Sequence, residues 1–150
     1  MKLLSGRELV GVTQDSIKQC DCSALEQALK QNTIVIDIRE ESEVLLGIIP
    51  GAMHIPRGVL EMEITSHAKV KDSQDPLTEL ASIPIYLYCR SGARSALAAK
   101  SLSEMGLENV WSVAGGFNAW QDQGKAIISS KEAKVWEMEG LFAWDHGGGI

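Results

Sequence analysis

Unbroken apolar runs mark the strongest strand positions in the chain. Thr33–Ile38 and Pro84–Tyr88 are almost continuous stretches of branched and aromatic residues, the pattern of parallel strands covered on both faces. Shorter apolar segments bounded by Gly, Pro or polar turns, at Val10–Thr13, Ala52–Ile55 and Asn109–Val113, are read as further strands. About five strands are expected, an ordinary sheet size. Helical spacing lies between them. Leu25, Ala28 and Leu29 share a face within Ser23–Lys30, with Ser23 read as N-cap and Glu26 completing a capping box. Ala96, Leu97, Ala99 and Leu102 line Arg94–Met105, with Gly106 as a C-terminal stop. Gly115–Trp120 reads as a turn feeding a short helix that ends by Gly124, and Val59–Ala81 as two short helices broken near Asp72–Pro76. The alternation predicts an α/β fold, a parallel sheet with helices on both faces.

The 150 residues suffice for a single domain with its own core, expected over residues 1–130. Residues 131–150 form an aromatic tail, with Val135, Trp136, Met138, Leu141, Phe142 and Trp144. Solvent exposure would penalise such density, so the tail is expected to pack on its own domain as a terminal helix, or on a second copy or partner. His146–Ile150 is expected to fray.

A formal charge of −6 and no long basic run argue against nucleic acid and anionic lipid as partners. Met1–Leu4 is interrupted by Ser5–Glu8 before a signal-peptide core forms, and Val44–Pro56 is too short and too broken by Gly and Pro to span a bilayer. A cytoplasmic protein is expected, as monomer or homodimer. Three cysteines then point to reduced thiols, at least one kept for its reactivity. Cys20-Asp21-Cys22 has one intervening residue and no neighbouring His, so structural cysteines are favoured over a metal site or redox pair. His54 and His67 are read as turn or surface residues, Trp111 and Trp120 as core.

The chemistry concentrates where the strand 84–88 runs into Cys89. The helix beginning near Arg94 leaves a tight loop, Cys89-Arg90-Ser91-Gly92-Ala93-Arg94-Ser95, at the carboxyl end of a parallel strand, where open α/β sheets bind ligands. Backbone N–H groups and the helix dipole favour an anion there. Arg90 and Arg94 add positive charge that favours a thiolate, and Gly92 lets the backbone curl inward. Such a nucleophile can attack electrophilic sulfur, phosphorus or arsenic. Four residues separate Cys89 from Arg94; a cysteine phosphatase loop would have one more, so a small species such as a single sulfur atom is the better fit. Asp37, ending a buried strand, is a candidate ion-pair partner for Arg94 and hence a loop-orienting residue.

Four segments in order extend the reading. Thr33–Glu40 (with Ile-Val-Ile-Asp-Ile-Arg-Glu), Gly47–Pro56 (with Ile48 where His is frequent), Cys89–Ser95 and Gly115–Trp120 together resemble the signature segments of rhodanese-type sulfurtransferases. The resemblance covers residues 33–124. It implies a five-stranded parallel sheet between helices, with Cys89 accepting a sulfane sulfur from thiosulfate or a related donor as a persulfide. A thiophilic acceptor would then remove the sulfur, without metal or organic cofactor. It further implies that Arg90 and Arg94 bind or orient the donor, and that the amides of Arg90, Ser91, Gly92, Ala93 and Arg94 stabilise the persulfide, with Ser95 as the hydroxyl residue closing the loop. The expected partners are small sulfur donors and acceptors. A carrier or interaction module handing its persulfide to an acceptor protein is the alternative.

Overall fold

The computed structural model describes residues 2–138, the last four by backbone alone. Five strands form one sheet in the order β1-β5-β4-β2-β3, all parallel: β1 (Lys18–Cys20), β2 (Ile34–Asp37), β3 (Met53–His54), β4 (Ile85–Tyr88) and β5 (Val110–Val113). The helices are α1 (Gly6–Gln14), α2 (Cys22–Ala28), α3 (Glu41–Val44), α4 (Leu60–Glu63), α5 (Pro76–Ala81), α6 (Ala93–Glu104), α7 (Gly116–Asp122) and α8 (Ser130–Met138), with single 3-10 turns flanking α4.

The uninterrupted apolar character of β2 has a direct cause. Ile34 and Ile36 face one core, with Leu60, Leu80, Leu102 and Leu107, while Val35 faces the other, with Leu25, Tyr88, Phe117 and Trp120. Both faces are dry, so side chains that alternate in direction are apolar throughout.

The amino-terminal segment departs from expectation. Val10–Thr13 belongs to α1, which Ser5 caps: its Oγ accepts from Glu8 N at 3.1 Å and Glu8 Oε1 accepts from Ser5 N at 3.0 Å. This reciprocal capping box outweighs a run of β-branched residues. The fifth strand is instead β1, whose Lys18 and Gln19 are exposed and Cys20 half-buried; an edge strand this short and polar has no hydrophobic signature. In α2 the cap is Asp21, which accepts from Ala24 N at 2.8 Å, and not Ser23, because Cys22 already lies buried in the first turn. Residues 59–81 form α4 and α5, with the break before Pro76. His67, read as a turn or surface residue, does lie in the turn after α4 but is fully buried, and its Nδ1 accepts from Lys69 N at 3.1 Å.

Helix α8 carries the tail onto the domain as far as Ala133, which packs into the core containing Phe117 and Trp120. The aromatic side chains assigned to the tail, from Val135 onward, lie outside the described side chains, and His146–Ile150 outside the described residues. No described helix is long and apolar enough to cross a membrane.

Candidate active site

The carboxyl edge of the sheet is a set of loops, and three of them converge on Cys89. The central strand β4 delivers Cys89 at its end, where the residue is 1% exposed. Gly92 adopts φ +106° as the N-cap of α6, a left-handed conformation that turns the chain into the helix within three residues of the cysteine.

The loop's polarity follows from where its carbonyls go. Phe117 N donates to Cys89 O at 2.9 Å and Asn118 N to Arg90 O at 3.0 Å. The first amides of α7 thus consume the outward-facing carbonyls, and Gly92 N donates inward to Cys89 Sγ at 3.1 Å. Close approach of α7 requires Gly116, at φ +52°: a Cβ there would meet the carbonyl oxygen of Cys89 and stand 2.8 Å from that of Arg90. A backbone N–H and the positive end of a twelve-residue helix both face the sulfur, stabilising negative charge on it.

A hydroxyl pair lies beneath. Cys89 Sγ is 3.6 Å from Ser95 Oγ, which is 2.7 Å from Ser112 Oγ, and both serines are fully buried. As a thiol, Cys89 donates to Ser95; as a thiolate it can only accept, so Ser95 then donates to sulfur while Ser112 donates to Ser95. The pair serves both protonation states by turning two hydroxyls. Ser112, on β5, was not among the residues singled out from sequence, since a Ser within Val110–Val113 carries no local signal of its partner.

The rim is set by charge. Arg94 forms a bidentate ion pair with Glu43 of α3, at 2.7 and 3.0 Å, and Arg90 Nε lies 3.5 Å from the same carboxylate. The Arg94 hydrogen bonds, with Arg90 nearby, hold the Glu43 carboxyl down at about 2. The guanidinium of Arg94 is held more firmly protonated in return. Glu43 therefore takes the place proposed for Asp37. Asp37 is fully buried and accepts from Arg39 N at 2.9 Å and from Arg39 Nη2 at 2.8 Å; that guanidinium also donates to Gly47 O at 2.8 Å. It lies 4.0 Å over the Phe117 ring. A charge at the end of a buried strand does need a partner, but the nearest in sequence supplies it, and the pair braces the 47–52 turn and α7 behind the loop. Arg39, Glu43, Leu46, Arg90, Phe117 and Asn118 border a cavity of about 210 Å³ beside the loop.

The other cysteines stand apart from this chemistry. Cys22 is buried with its thiol toward Gly116 O at 3.7 Å. Burial, with Asp21 beside it, pushes Cys20 up to about 11, and burial raises Cys22 as well, so both remain protonated thiols. Among the described residues no group of three or more His, Cys, Asp or Glu is placed to hold a metal ion. His54 is half-buried, its Nε2 2.7 Å from Arg39 O. Trp120 is core, and Trp111 stacks on Tyr86 at 6.2 Å.

Residues 21–123 match the family described as Rhodanese-like domain. The chain belongs to the rhodanese-like sulfurtransferase family. Thiosulfate sulfurtransferase GlpE of Pseudomonas fluorescens is 31% identical over 105 residues, covering 69% of this chain and 85% of that protein. Among solved structures, a rhodanese-like domain protein from Staphylococcus aureus superposes with TM-score 0.59 at 26% identity, covering 75% of this chain and all of that one. A protein of unknown function from Rhodopseudomonas palustris, described as a possible tyrosine phosphatase, superposes with TM-score 0.70 at 31% identity, covering 85% and 97%. The parallel five-stranded architecture is that of the rhodanese-like domain.

Proposed function

We propose that this rhodanese-like domain is an enzyme that moves a sulfane sulfur through a persulfide on Cys89, with thiosulfate or a similar compound as donor. The observation that carries the reading is the loop's polarity: carbonyls of Cys89 and Arg90 turned outward onto α7, and the Gly92 amide turned inward onto sulfur. The Cys89 thiolate attacks the outer sulfur of thiosulfate; the sulfur–sulfur bond breaks, its electron pair leaves with sulfite, and the enzyme retains Cys89–S–S⁻. A nucleophilic acceptor, cyanide or a thiolate, then attacks the outer sulfur and the Cys89 thiolate departs. No electrons are gained or lost overall, so neither redox cofactor nor metal enters the scheme.

In this reading the amides of Ser91, Gly92, Ala93 and Arg94 face the persulfide charge. Arg90, its side chain 61% exposed, meets the sulfonate end of the donor, and Arg94 supplies fixed positive charge in the first turn of α6. Ser95 and Ser112 hydrogen-bond the sulfur in each state.

Incubation with thiosulfate should add one sulfur to the intact mass, localised to Cys89 and removed by reductant, and cyanide should then release thiocyanate. Failure of both would overturn the proposal. Hydrolysis of phosphate esters that vanishes in Cys89→Ser would favour a phosphatase, a reading the short Cys89–Arg94 spacing disfavours. A carrier role is the second reading, favoured by Leu46, 87% exposed just after α3 and bordering the same cavity as Arg90. It predicts a Cys89 persulfide that small thiols discharge poorly.

A further inference from the structure

Glu43 is unusual among the groups around the loop. It comes from a separate element, α3, yet its carboxylate engages both arginines of the loop: Arg94 with two hydrogen bonds at 2.7 and 3.0 Å, Arg90 at 3.5 Å. Its Oε1 also accepts from Glu40 N at 2.9 Å, which fixes the side chain to the start of its own helix. It faces the cavity beside the loop together with Arg90, Leu46 and Phe117.

The charge balance at the mouth follows. Two guanidiniums meet the Glu43 carboxylate, and the exposed Glu40 carboxylate also acts on Arg94 from the start of α3. Among the described residues a further charged pair close by, Asp37 and Arg39, is buried and self-neutralising, while the parts of β5 and α7 that cover the loop, from Ser112 to Asn118, carry no ionisable side chain. We infer that Glu43 is a specificity-determining residue: by cancelling one of the two loop guanidiniums, it limits how strongly the mouth favours doubly charged anions over singly charged or neutral reaction partners. The inference rests on the sulfur-transfer reading for its substrates, but the charge effect itself does not.

A purely structural Glu43 would affect all reagents alike. A charge-setting Glu43 changes their ratio. Cys89 in the full chain is therefore alkylated with iodoacetate and with iodoacetamide, and the modification of that residue followed by peptide mass spectrometry. One unit of uncancelled charge at the mouth should raise the iodoacetate-to-iodoacetamide rate ratio about three- to tenfold in Glu43→Gln. Glu43→Asp, which keeps the charge but shortens the reach, should leave the ratio near wild type. In turnover, the ratio of kcat/KM for thiosulfate, a dianion, to that for benzenethiosulfonate, a monoanion, should rise in the same variant and fall back toward wild type as salt is added.

Glu43→Ala serves as a second neutral variant should the glutamine protein fold poorly. An alkylation ratio unchanged in the folded neutral variants, or raised equally in Glu43→Asp, overturns the inference. Absence of any sulfur on Cys89 with the alkylation ratio shifted as expected would overturn the sulfur-transfer reading and leave the role of Glu43 standing.

Discussion

At the scale of single residues, the sulfur of Cys89 is served by groups of different origin. Gly92 N and Ser95 Oγ come from its own loop and helix, but Ser112 comes from the neighbouring strand and reaches the sulfur only through Ser95. Removing the buried partner leaves Ser95 free to turn and one hydrogen bond short. Ser112→Ala should slow persulfide formation from thiosulfate by about fivefold, the equivalent of about 1 kcal/mol for one hydrogen bond, measured as the rate of mass gain on Cys89. An unchanged rate would show that Ser95 alone suffices. Cys89→Ser should abolish the gain, because Cys20 and Cys22 are held as protonated thiols by burial.

At the scale of elements, the loop owes its shape to α7 pressing on it. The two N–H···O contacts from Phe117 and Asn118 are possible only because Gly116 presents no Cβ to the carbonyls of Cys89 and Arg90. Gly116→Ala combines a left-handed backbone with a steric clash against backbone atoms. It should cost about 2 kcal/mol or more, read as a drop in the denaturant midpoint, and should reduce sulfur transfer further than stability alone explains, since the loop that aims the Gly92 amide at sulfur would shift. The same scale shows where sequence patterns mislead. Val10–Thr13 has strand-like residues, yet its helix is set by a cap five residues earlier, and the true edge strand, Lys18–Cys20, is held by pairing to Trp111–Val113 and not by any apolar pattern of its own.

For the whole molecule, acid should destabilise the fold in two overlapping stages. Burial holds His67 down to about 4 from its ordinary 6.5. Between these values the unfolded chain takes up a proton that the folded one refuses, so stability falls as pH drops. Glu43, at about 2 against an ordinary 4.5, contributes stability that is complete above 4.5 and lost as pH falls toward 2. Thermal melts from pH 7 to pH 3 should show Tm decreasing throughout; His67→Gln should flatten the upper part of that curve and Glu43→Gln the lower. A wild-type Tm that is flat from pH 6.5 to pH 4 would contradict the buried neutral state of His67.

The sequence by itself determined those features that short-range pattern encodes. A strand buried on both faces must be apolar at every position, so β2 and β4 are legible without the fold. The Cys89–Ser95 loop is contiguous, so its cysteine, arginines and glycine are visible together. Tertiary structure alone decided the partners. Arg94 meets Glu43 across 51 residues, and Ser95 meets Ser112 across 17, separations at which neither spacing nor composition identifies the contact. Asp37 was legible as a buried charge in need of a cation, but the sequence reading assigned that cation as Arg94, and the structure pairs it with Arg39. Only the packing of β2 against the 47–52 turn and α7 selected Arg39, leaving Glu43 to hold the rim of the loop.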